Sequence, residues 1–550
     1  MIESAATRDR DRDQVTQRSL VETASIWLAL AANTVFAVWL LLRLGSIQDS
    51  FYANSDNSSA LVLAQFLDER GSGDAVLGDY FWLEPLYALH LTRWLPAHRE
   101  VWEAAPFAIY AATVILVGWT VARTVSTRMG LVVALGMAAP APLVLEYVTS
   151  PNAHAHSLVH AVILAAFLIT SPRVAAWGRA RAGLWGLALA ITLAPGAASD
   201  PILLVGGVVP FLLAVGLGVW LRLLSRGIAI LSATACLVGT GAGLLVAEVA
   251  KQDGIRPSGL DFPLASADHA VDNLRRLFEG LALFVHGRTG DASIPGNSSI
   301  PDGFDVFLVI GTVVAVAILV IAVTRSAPAL LRDPGRSAGQ RLLFVYWGVV
   351  LAALAAAFVA SSAPVDIGSA RYLLIAWPAL LTLAAIVFGQ RALTGLALLA
   401  ATTGILGSIE LARDGYRLPV EYSNDDVVRL ERFVDANRLD HGYSSYEYAA
   451  AITRLTDFGV RLYPVTDCGR DDDKRCPSLE HQMDVWYEGK PGVRTFYVFN
   501  PTTTFRAIGP PPTRWGKPAE EAQIGPFQLF IYDFDLARVL RSGRLSGSSG

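Results

Sequence analysis

Charge is scarce in this chain. Of its 550 residues, 17% are charged and 53% are hydrophobic. Stretches of about 20 residues recur almost without charge, and that is the length an α-helix needs to cross the hydrocarbon core of a bilayer. The composition therefore excludes a large soluble enzyme and predicts a polytopic α-helical membrane protein. We expect membrane lipids among its partners and no nucleic acid.

We also expect no cleavable signal peptide, because no cleavage pattern precedes the first apolar segment. We predict about 11 transmembrane helices, and the fifth is interrupted by Pro195-Gly196. The predicted spans lie near 24–44, 104–122, 129–147, 157–171, 184–196, 202–221, 228–248, 304–324, 342–361, 373–389 and 392–410. The predicted domains are a cytoplasmic tail at 1–20, a transmembrane domain at 21–410 with outer loops 45–103 and 249–303, an extracytoplasmic α/β domain at 411–540 and a disordered tail at 541–550.

Basic residues are nearly absent from one set of loops. The short loops placed outside carry Glu146, Asp200, Asp366 and a single arginine, Arg371. The other loops carry one acid, Asp333, among many arginines: Arg123, Arg128, Arg173, Arg179, Arg181, Arg222, Arg226, Arg325, Arg332, Arg336, Arg341 and Arg391. The positive-inside rule then predicts a cytoplasmic N-terminus. An odd number of spans puts the C-terminal domain outside the cell membrane.

The segment after the last predicted span has the pattern of a small domain. HGYSSYEYAAAITRLTDFGVRLYPV predicts a short strand, a helix and a second strand, and TFYVFN and FQLFIYDF predict further strands. Its length suits one α/β domain.

Cysteine is rare, with three in the whole chain. Cys236 lies in a predicted span, where it is suited to packing. Cys468 and Cys476 flank the polar loop GRDDDKR in the outer domain. A disulfide is our preferred interpretation in an oxidising compartment; a metal pair is the weaker alternative, since no histidine is near.

The predicted spans carry almost no ionisable residues away from their ends. Ion-coupled transporters usually need such groups near the midplane, facing a cavity. Polar residues collect instead at the outer membrane edge. A lipid or polysaccharide transporter or flippase therefore remains only the alternative interpretation.

The first polar group is in the loop after span one. Asp56 lies in YANSDNSSA, and Asp79 and Glu84 follow in GDYFWLEP. A carboxylate held near apolar surface is suited to act as a general base. Asp56 is equally suited to cap the N-terminus of the following amphipathic helix. Both interpretations stay open, and so does the identity of a second acid beside Asp56.

The second group is SPNAHAHSLVH at the start of span four. His156 and His160 are spaced to share one helix face, and His154 precedes them. They are suited to bind a phosphate or a sugar, or a metal, although no HExxH-like motif accompanies them. Asp200, followed by Pro201, has a structural explanation as a helix cap and a secondary one in the site.

The third group is Arg371-Tyr372 at the entrance to span ten. A guanidinium has the planar fork that suits a phosphate clamp. The alternative is an ion pair with Asp366 or contact with a lipid headgroup.

These residues together resemble the GT-C superfamily of membrane glycosyltransferases, which use polyprenyl-phosphate sugars. The resemblance is carried by the acid in a long first outer loop (Asp56), by the surface helices after it, by the RYLL stretch beginning at Arg371 and by a C-terminal domain outside. Within this superfamily, the sequence resembles the actinobacterial cell-envelope arabinosyl- and mannosyltransferases. The chain departs from several such families because it has no adjacent Asp-Asp or Asp-Glu pair in the first loop.

The resemblance implies transfer of a monosaccharide from a polyprenyl-phosphate donor to a glycan, glycolipid or protein acceptor, with inversion. Asp56, aided by Asp79 or Glu84, would take the acceptor proton. Arg371, Tyr372, His154, His156, His160 and Asp200 would hold the donor. No cofactor is required by this chemistry, and a divalent cation is compatible with it. A non-catalytic envelope-assembly scaffold is the third interpretation.

Overall fold

A computed structural model describes most of the chain. The described residues are 2–53, 55–70, 75–78, 83, 85–86, 88, 94, 98–150, 154–257, 263–287, 302–414, 422–467, 475–478, 481–501 and 508–541. For 2–18, 52, 56, 70, 98–100, 302–305, 367, 414 and 541 only the backbone is described.

Helices dominate the part of the chain that precedes the C-terminal domain. The α-helices up to that point are Ile2–Tyr52, Ser55–Arg70, His98–Thr124, Thr127–Ala138, Pro142–Thr149, Ala155–Val174, Arg179–Ser199, Val209–Trp220, Arg226–Gln252, Ala267–Leu283, Asp302–Arg332, Ala338–Ala360, Ala376–Phe388 and Leu393–Asp414. Short 3-10 helices, Ile367–Leu373 and Gly389–Ala392, flank Ala376–Phe388, and a π-helical turn, Leu204–Val208, precedes Val209–Trp220.

Eight of the described helices are long and apolar enough to cross a membrane. They are Ser19–Phe51, Val101–Thr124, Ala155–Val174, Arg179–Ser199, Arg226–Gln252, Val306–Arg332, Ala338–Ala360 and Ala376–Arg413. The pair Thr127–Ala138 and Pro142–Thr149 makes a ninth if it is taken as one span. The many spans and the small sheet-containing domain at the C-terminal end confirm the predicted class, a polytopic α-helical membrane protein with a small α/β domain.

Our count of 11 spans differs from this result for three local reasons. The third predicted span bends by 99° between its two helices, where Pro140 and Pro142 supply no backbone N–H to continue the helix. The sixth is the shorter apolar helix Leu204–Trp220. The tenth and eleventh fall in the single apolar stretch Ala376–Arg413.

That last stretch nevertheless folds back on itself. Trp377, near its start, donates its indole N–H to the Gly136 carbonyl (3.3 Å), and Gln390 donates to the Ser126 hydroxyl (3.3 Å). Ser126 and Gly136 lie at opposite ends of the helix Thr127–Ala138. The chain therefore runs from the Gly136 end of this helix to its Ser126 end before it turns at Gly389. Glycine readily adopts the φ of +52° that Gly389 has.

The return crossing ends at a buried contact between Glu410 and His286. Glu410 Oε2 lies 2.8 Å from His286 Nδ1, and His286 Nε2 donates to the Ala139 carbonyl at 3.0 Å. Both side chains are almost fully buried. The last helix, the surface helix Ala267–Leu283 and the bend at Ala139 are thus joined at the same level as Trp377.

The C-terminal domain is built on a six-stranded mixed sheet. Its strands are β3 (His441–Ser445), β4 (Leu462–Asp467), β5 (Arg475–Pro477), β7 (Thr495–Phe499), β8 (Glu520–Ile524) and β9 (Phe527–Tyr532). They run in the order β5-β4-β3-β7-β9-β8. The helix Tyr446–Leu455 connects β3 to β4, which are parallel. The predicted strand–helix–strand and the two further predicted strands are all present.

The remaining elements of this domain complete its core. They are the helices Asn424–Ala436 and Ala537–Arg541 and the 3-10 helices Asp484–Tyr487 and Thr513–Trp515. Trp486 is 3% exposed and stacks on Tyr463 at 5.1 Å. It is therefore a residue of the domain core. Cys476 is disulfide-bonded and Cys236 is free; Cys468 lies outside the described residues, so the pairing stays a prediction.

The C-terminal domain is attached to the helix that carries Asp56. Strand β1 (Ala75–Val76) pairs with β6 (Gln482–Met483) of the domain and with β2 (Ile255–Arg256). Ser55 accepts the Ala451 backbone N–H at 3.2 Å, and Tyr422 donates to the Ala53 carbonyl at 2.9 Å. The domain therefore fixes the junction between the first span and Ser55–Arg70.

Candidate active site

Asp56 lies in the first turn of the helix Ser55–Arg70. Since the helix begins at Ser55, Asp56 occupies a position inside it and not the cap position before it. Its side chain is among those not described, and Asp79 and Glu84 lie outside the described residues. Their catalytic roles therefore remain predictions, and the site is built from the residues around them.

Asn57, the next residue, is buried and firmly held. Its amide donates to the Phe51 carbonyl at 2.8 Å and to Glu146 Oε1 at 3.0 Å. The Ser150 hydroxyl donates to Asn57 Oδ1. These bonds tie the turn that contains Asp56 to the helix Pro142–Thr149 and bring the buried carboxylate of Glu146 to it.

Sequence reasoning missed this use of Glu146, which we counted only as a charge in a short outer loop. The available signal was an acid in the otherwise apolar run PLVLEYVT. A carboxylate in such a run needs a hydrogen-bonding partner when it is buried. The partner is distant in sequence and was not identifiable.

Asp200 accepts hydrogen bonds on both carboxylate oxygens. Oδ2 lies 2.8 Å from His154 Nδ1 and accepts the Ser157 hydroxyl at 2.5 Å. Oδ1 accepts the Ile202 backbone N–H at 2.9 Å. Asp200 therefore closes the turn before the next helix through Ile202, and it also contacts the histidine segment through His154 and Ser157.

The balance of charges at Asp200 favours the ionised carboxylate. Burial acts to raise the pKa of Asp200, but His154, the Ser157 hydroxyl and the nearby His156 together hold the pKa below its usual value. His154 has a left-handed backbone with φ of 63° and directly precedes the helix Ala155–Val174. Asp200 is thus a buried carboxylate that is hydrogen-bonded to one imidazole, that of His154.

The three predicted histidines do not have the same surroundings. His154 is bonded to Asp200, and His156 lies within electrostatic range of the same carboxylate. His160 packs on the neighbouring helix at Gly196, where a Cβ would collide with the imidazole ring. The Pro195-Gly196 step that His160 contacts lies inside the unbroken helix Arg179–Ser199. The predicted interruption of the fifth span is therefore wrong.

Arg371 and Tyr372 lie on the 3-10 helix Ile367–Leu373. Asp366 caps this helix by accepting the Ser369 backbone N–H at 3.2 Å. Arg371 Nη2 donates to the Tyr372 hydroxyl at 3.3 Å, and its guanidinium lies 5.3 Å from the Tyr372 ring centre. The Tyr372 ring lies 5.1 Å from the His154 ring. Four predicted binding residues, Arg371, Tyr372, His154 and Asp200, therefore form one continuous series.

The two halves of the site are close to each other. Ser150, bonded to Asn57, precedes His154 by four positions, which limits the distance between their Cα atoms to about 14 Å. The Tyr147 hydroxyl also lies beside Gly368, where a Cβ would be 3.3 Å from it. The helix that carries Glu146 therefore contacts the 3-10 helix that carries Arg371.

This arrangement provides two chemical functions at one membrane level. The Arg371 guanidinium, the Tyr372 phenol and the imidazoles of the histidine segment are suited to bind an anionic phosphate. The buried Asn57–Glu146 contact holds the turn that contains Asp56, the candidate base. Within the described ranges no three His, Cys, Asp or Glu side chains converge as a metal site.

Comparison with known proteins adds little at the sequence level. No protein-family model matches the chain, and no curated protein matches it. Two solved structures are similar over most of their length: ArnT from Cupriavidus metallidurans in the apo state and the same protein bound to undecaprenyl phosphate. Both are 11% identical to this chain and cover 90% of it, with 98% and 97% of their own chains covered and TM-scores of 0.41 and 0.42. A likeness of this degree carries no functional argument, so function is inferred from the residues of the site.

Proposed function

We propose that this chain is a membrane glycosyltransferase of the GT-C type that uses a polyprenyl-phosphate sugar at the outer membrane edge. The observation that carries the proposal is the continuous series Arg371–Tyr372–His154–Asp200 beside the turn that contains Asp56. It combines phosphate-binding groups with a carboxylic acid at one membrane level, as transfer from a lipid-phosphate donor requires.

The proposed reaction is a single displacement. An acceptor hydroxyl oxygen attacks the anomeric carbon, the bond from that carbon to the phosphate oxygen breaks, and the lipid phosphate leaves with the electron pair. Asp56 accepts the hydroxyl proton, an effect of about 10²–10⁴-fold on rate. Arg371 stabilises the charge that grows on the departing phosphate. The anomeric configuration is inverted.

The outer domain is proposed to orient the acceptor, a glycan, glycolipid or protein. Its support is the fastening of Ser55 to Ala451, which places the domain directly over the first turn of the Asp56 helix. The orientation with a cytoplasmic N-terminus and an extracytoplasmic C-terminal domain follows from the arginine distribution. The transfer assay identifies the sugar, and polyprenyl-phosphate arabinose and mannose are the first donors to test.

An ion-coupled transporter or flippase is disfavoured by the described spans. Among the Asp, Glu, Lys, Arg and His side chains of the eight long spans, those that are buried are His160 and Glu410. Both lie toward the level of the site and not at the midplane. A charged path through the bilayer centre is therefore not seen in the described part of the bundle.

The test is sugar transfer by the purified protein from a panel of polyprenyl-phosphate monosaccharides. Wild type should release lipid phosphate and form product, and Asp56→Asn should be expressed and folded but at least 100-fold slower. Asp68→Asn is the matched control, since Asp68 is an exposed carboxylate on the same helix. Full activity of Asp56→Asn would show that Asp56 is not the general base. If wild type transferred no sugar from any donor, a non-catalytic scaffold would be favoured instead.

A further inference from the structure

A cavity of about 390 Å³ opens at the membrane face opposite to the candidate active site. It lies between the helices Asp302–Arg332 and Ala376–Phe388 and is lined by Ala322, Ser326, Arg336, Val387, Phe388, Gly389 and Arg391. No step of the proposed reaction uses it.

Its position follows from the helix that separates it from Arg371. Arg371 precedes Ala376–Phe388 and the cavity lies at the other end, a distance of about 20 Å along the helix axis. Gln390, beside the cavity, bonds to Ser126, whereas Trp377 bonds to Gly136 at the opposite end of Thr127–Ala138. The cavity and the candidate active site therefore lie at opposite ends of the helix Ala376–Phe388.

Two arginines supply positive charge at this cavity. Arg391 is exposed and makes no hydrogen bond or ion pair with other described residues. Arg336 donates to the Ile386 carbonyl at 3.2 Å and lies 3.6 Å from Asp333, which is half-exposed. One acid faces two guanidinium groups, so the net charge of the cavity mouth is positive.

The remaining wall is apolar and continuous with the lipid-facing surface. Ala322, Val387 and Phe388 line the cavity between the two helices. The span Val306–Arg332 is the most apolar one described, and 6% of its window is buried. Most of this helix thus faces the bilayer, and the seam beside it is open to an acyl chain.

From these contacts we infer that the cavity binds the phosphate headgroup of an anionic phospholipid, with Arg336 and Arg391 on the phosphate and an acyl chain along the seam between the two helices. Basic pockets between membrane helices on the cytoplasmic side are suited to anionic headgroups. The arginine-rich loops of this face predict that side. This site is independent of the proposed glycosyl transfer.

The test is native mass spectrometry of the purified full chain with phosphatidylglycerol and phosphatidylcholine. Wild type should retain phosphatidylglycerol in preference, and Arg336→Gln/Arg391→Gln should bind it about 30-fold more weakly, since each arginine near an anionic surface contributes a factor of about five. Ala322→Phe, which narrows the apolar wall without a change in charge, should also weaken retention.

Arg332→Gln is the matched control, because Arg332 is an exposed arginine in the same region that does not line the cavity. Equal retention of the two lipids by wild type would overturn the proposal. So would an equal loss in Arg332→Gln and in the double variant, which would indicate nonspecific surface charge. Displacement of bound phosphatidylglycerol by millimolar inorganic phosphate would assign the site to a free anion instead.

Discussion

His154 Nδ1 lies 2.8 Å from Oδ2 of Asp200, and both side chains are buried. The two residues are 46 positions apart and follow different spans. Their contact connects the histidine segment to the turn before the next helix, and through Tyr372 it reaches Arg371. This pair therefore holds the proposed phosphate-binding series in place.

Asp200→Asn should lower stability and weaken donor binding together. The asparagine amide has one oxygen in place of two, so it cannot accept from His154, Ser157 and Ile202 at once, and its NH₂ group would face a donor. A hydrogen bond to a charged group contributes about 1.5–3 kcal/mol to stability. Thermal unfolding in detergent and the KM for the donor measure the two effects. Asp253→Asn, at an exposed carboxylate, is the control and should change neither. An unaltered KM in a folded Asp200→Asn protein would separate the pair from the donor site.

Arg371→Ala should raise the donor KM by roughly 10- to 100-fold, the loss expected for a charge-assisted contact to phosphate. Arg371→Lys should recover part of the binding, because it restores the charge without the planar fork. Arg275→Ala is the matched control, since Arg275 is exposed on a surface helix and pairs with Glu279. The measurement is steady-state transfer over a range of donor concentrations. If Ala and Lys variants bound the donor as wild type does, Arg371 would not contact the phosphate.

Glu146 is expected to act as a positioning residue for the Asp56 turn. Glu146→Gln keeps an acceptor for the Asn57 amide, 3.0 Å away in the wild type, and should retain most activity. Glu146→Leu removes the acceptor and should lower kcat about 100-fold, because small misplacements of a catalytic group are costly. The comparison of kcat with KM for the two variants is the readout. A loss of activity in Glu146→Gln equal to that in Glu146→Leu would mean that the charge itself is needed.

Much of the architecture was predictable because hydropathy and periodicity are local signals. The presence of many apolar spans and the strand–helix–strand of the C-terminal domain follow from short stretches of sequence. Arg371 stood out because it was the single basic residue in the short outer loops. Its contact with Tyr372, and that of Tyr372 with His154, required the fold.

Features that depend on distant partners were not predictable. Asn57 and Glu146 are 89 positions apart, and His286 and Glu410 are 124 apart. The bend between Thr127–Ala138 and Pro142–Thr149 was missed for another reason, since hydropathy does not report the direction of a helix. Pro140 and Pro142 were the local signal for it.

Asp535 of the C-terminal domain should make the stability of the protein depend on pH. Burial acts to raise the pKa of Asp535, but hydrogen bonds from His441 and from the Lys490 and Ala537 backbone N–H groups outweigh it and lower the pKa to about 2. A carboxyl whose folded pKa is depressed contributes stability above its unfolded pKa of about 3.9. That contribution is lost as the pH falls from about 4 toward 2.

Asp535→Asn should therefore lower the unfolding temperature of the full chain at pH 7, and the difference from wild type should shrink between pH 4 and pH 2 because the wild-type carboxylate becomes protonated there. Tryptophan fluorescence of the detergent-solubilised protein measures both unfolding temperatures at each pH. Asp533→Asn is the matched control: that carboxylate is largely exposed and pairs with Arg494 at 3.0 Å, and exposed pairs contribute about 0–1 kcal/mol. A difference between Asp535→Asn and wild type that stayed constant from pH 7 to pH 2 would show that the carboxylate charge does not stabilise the domain.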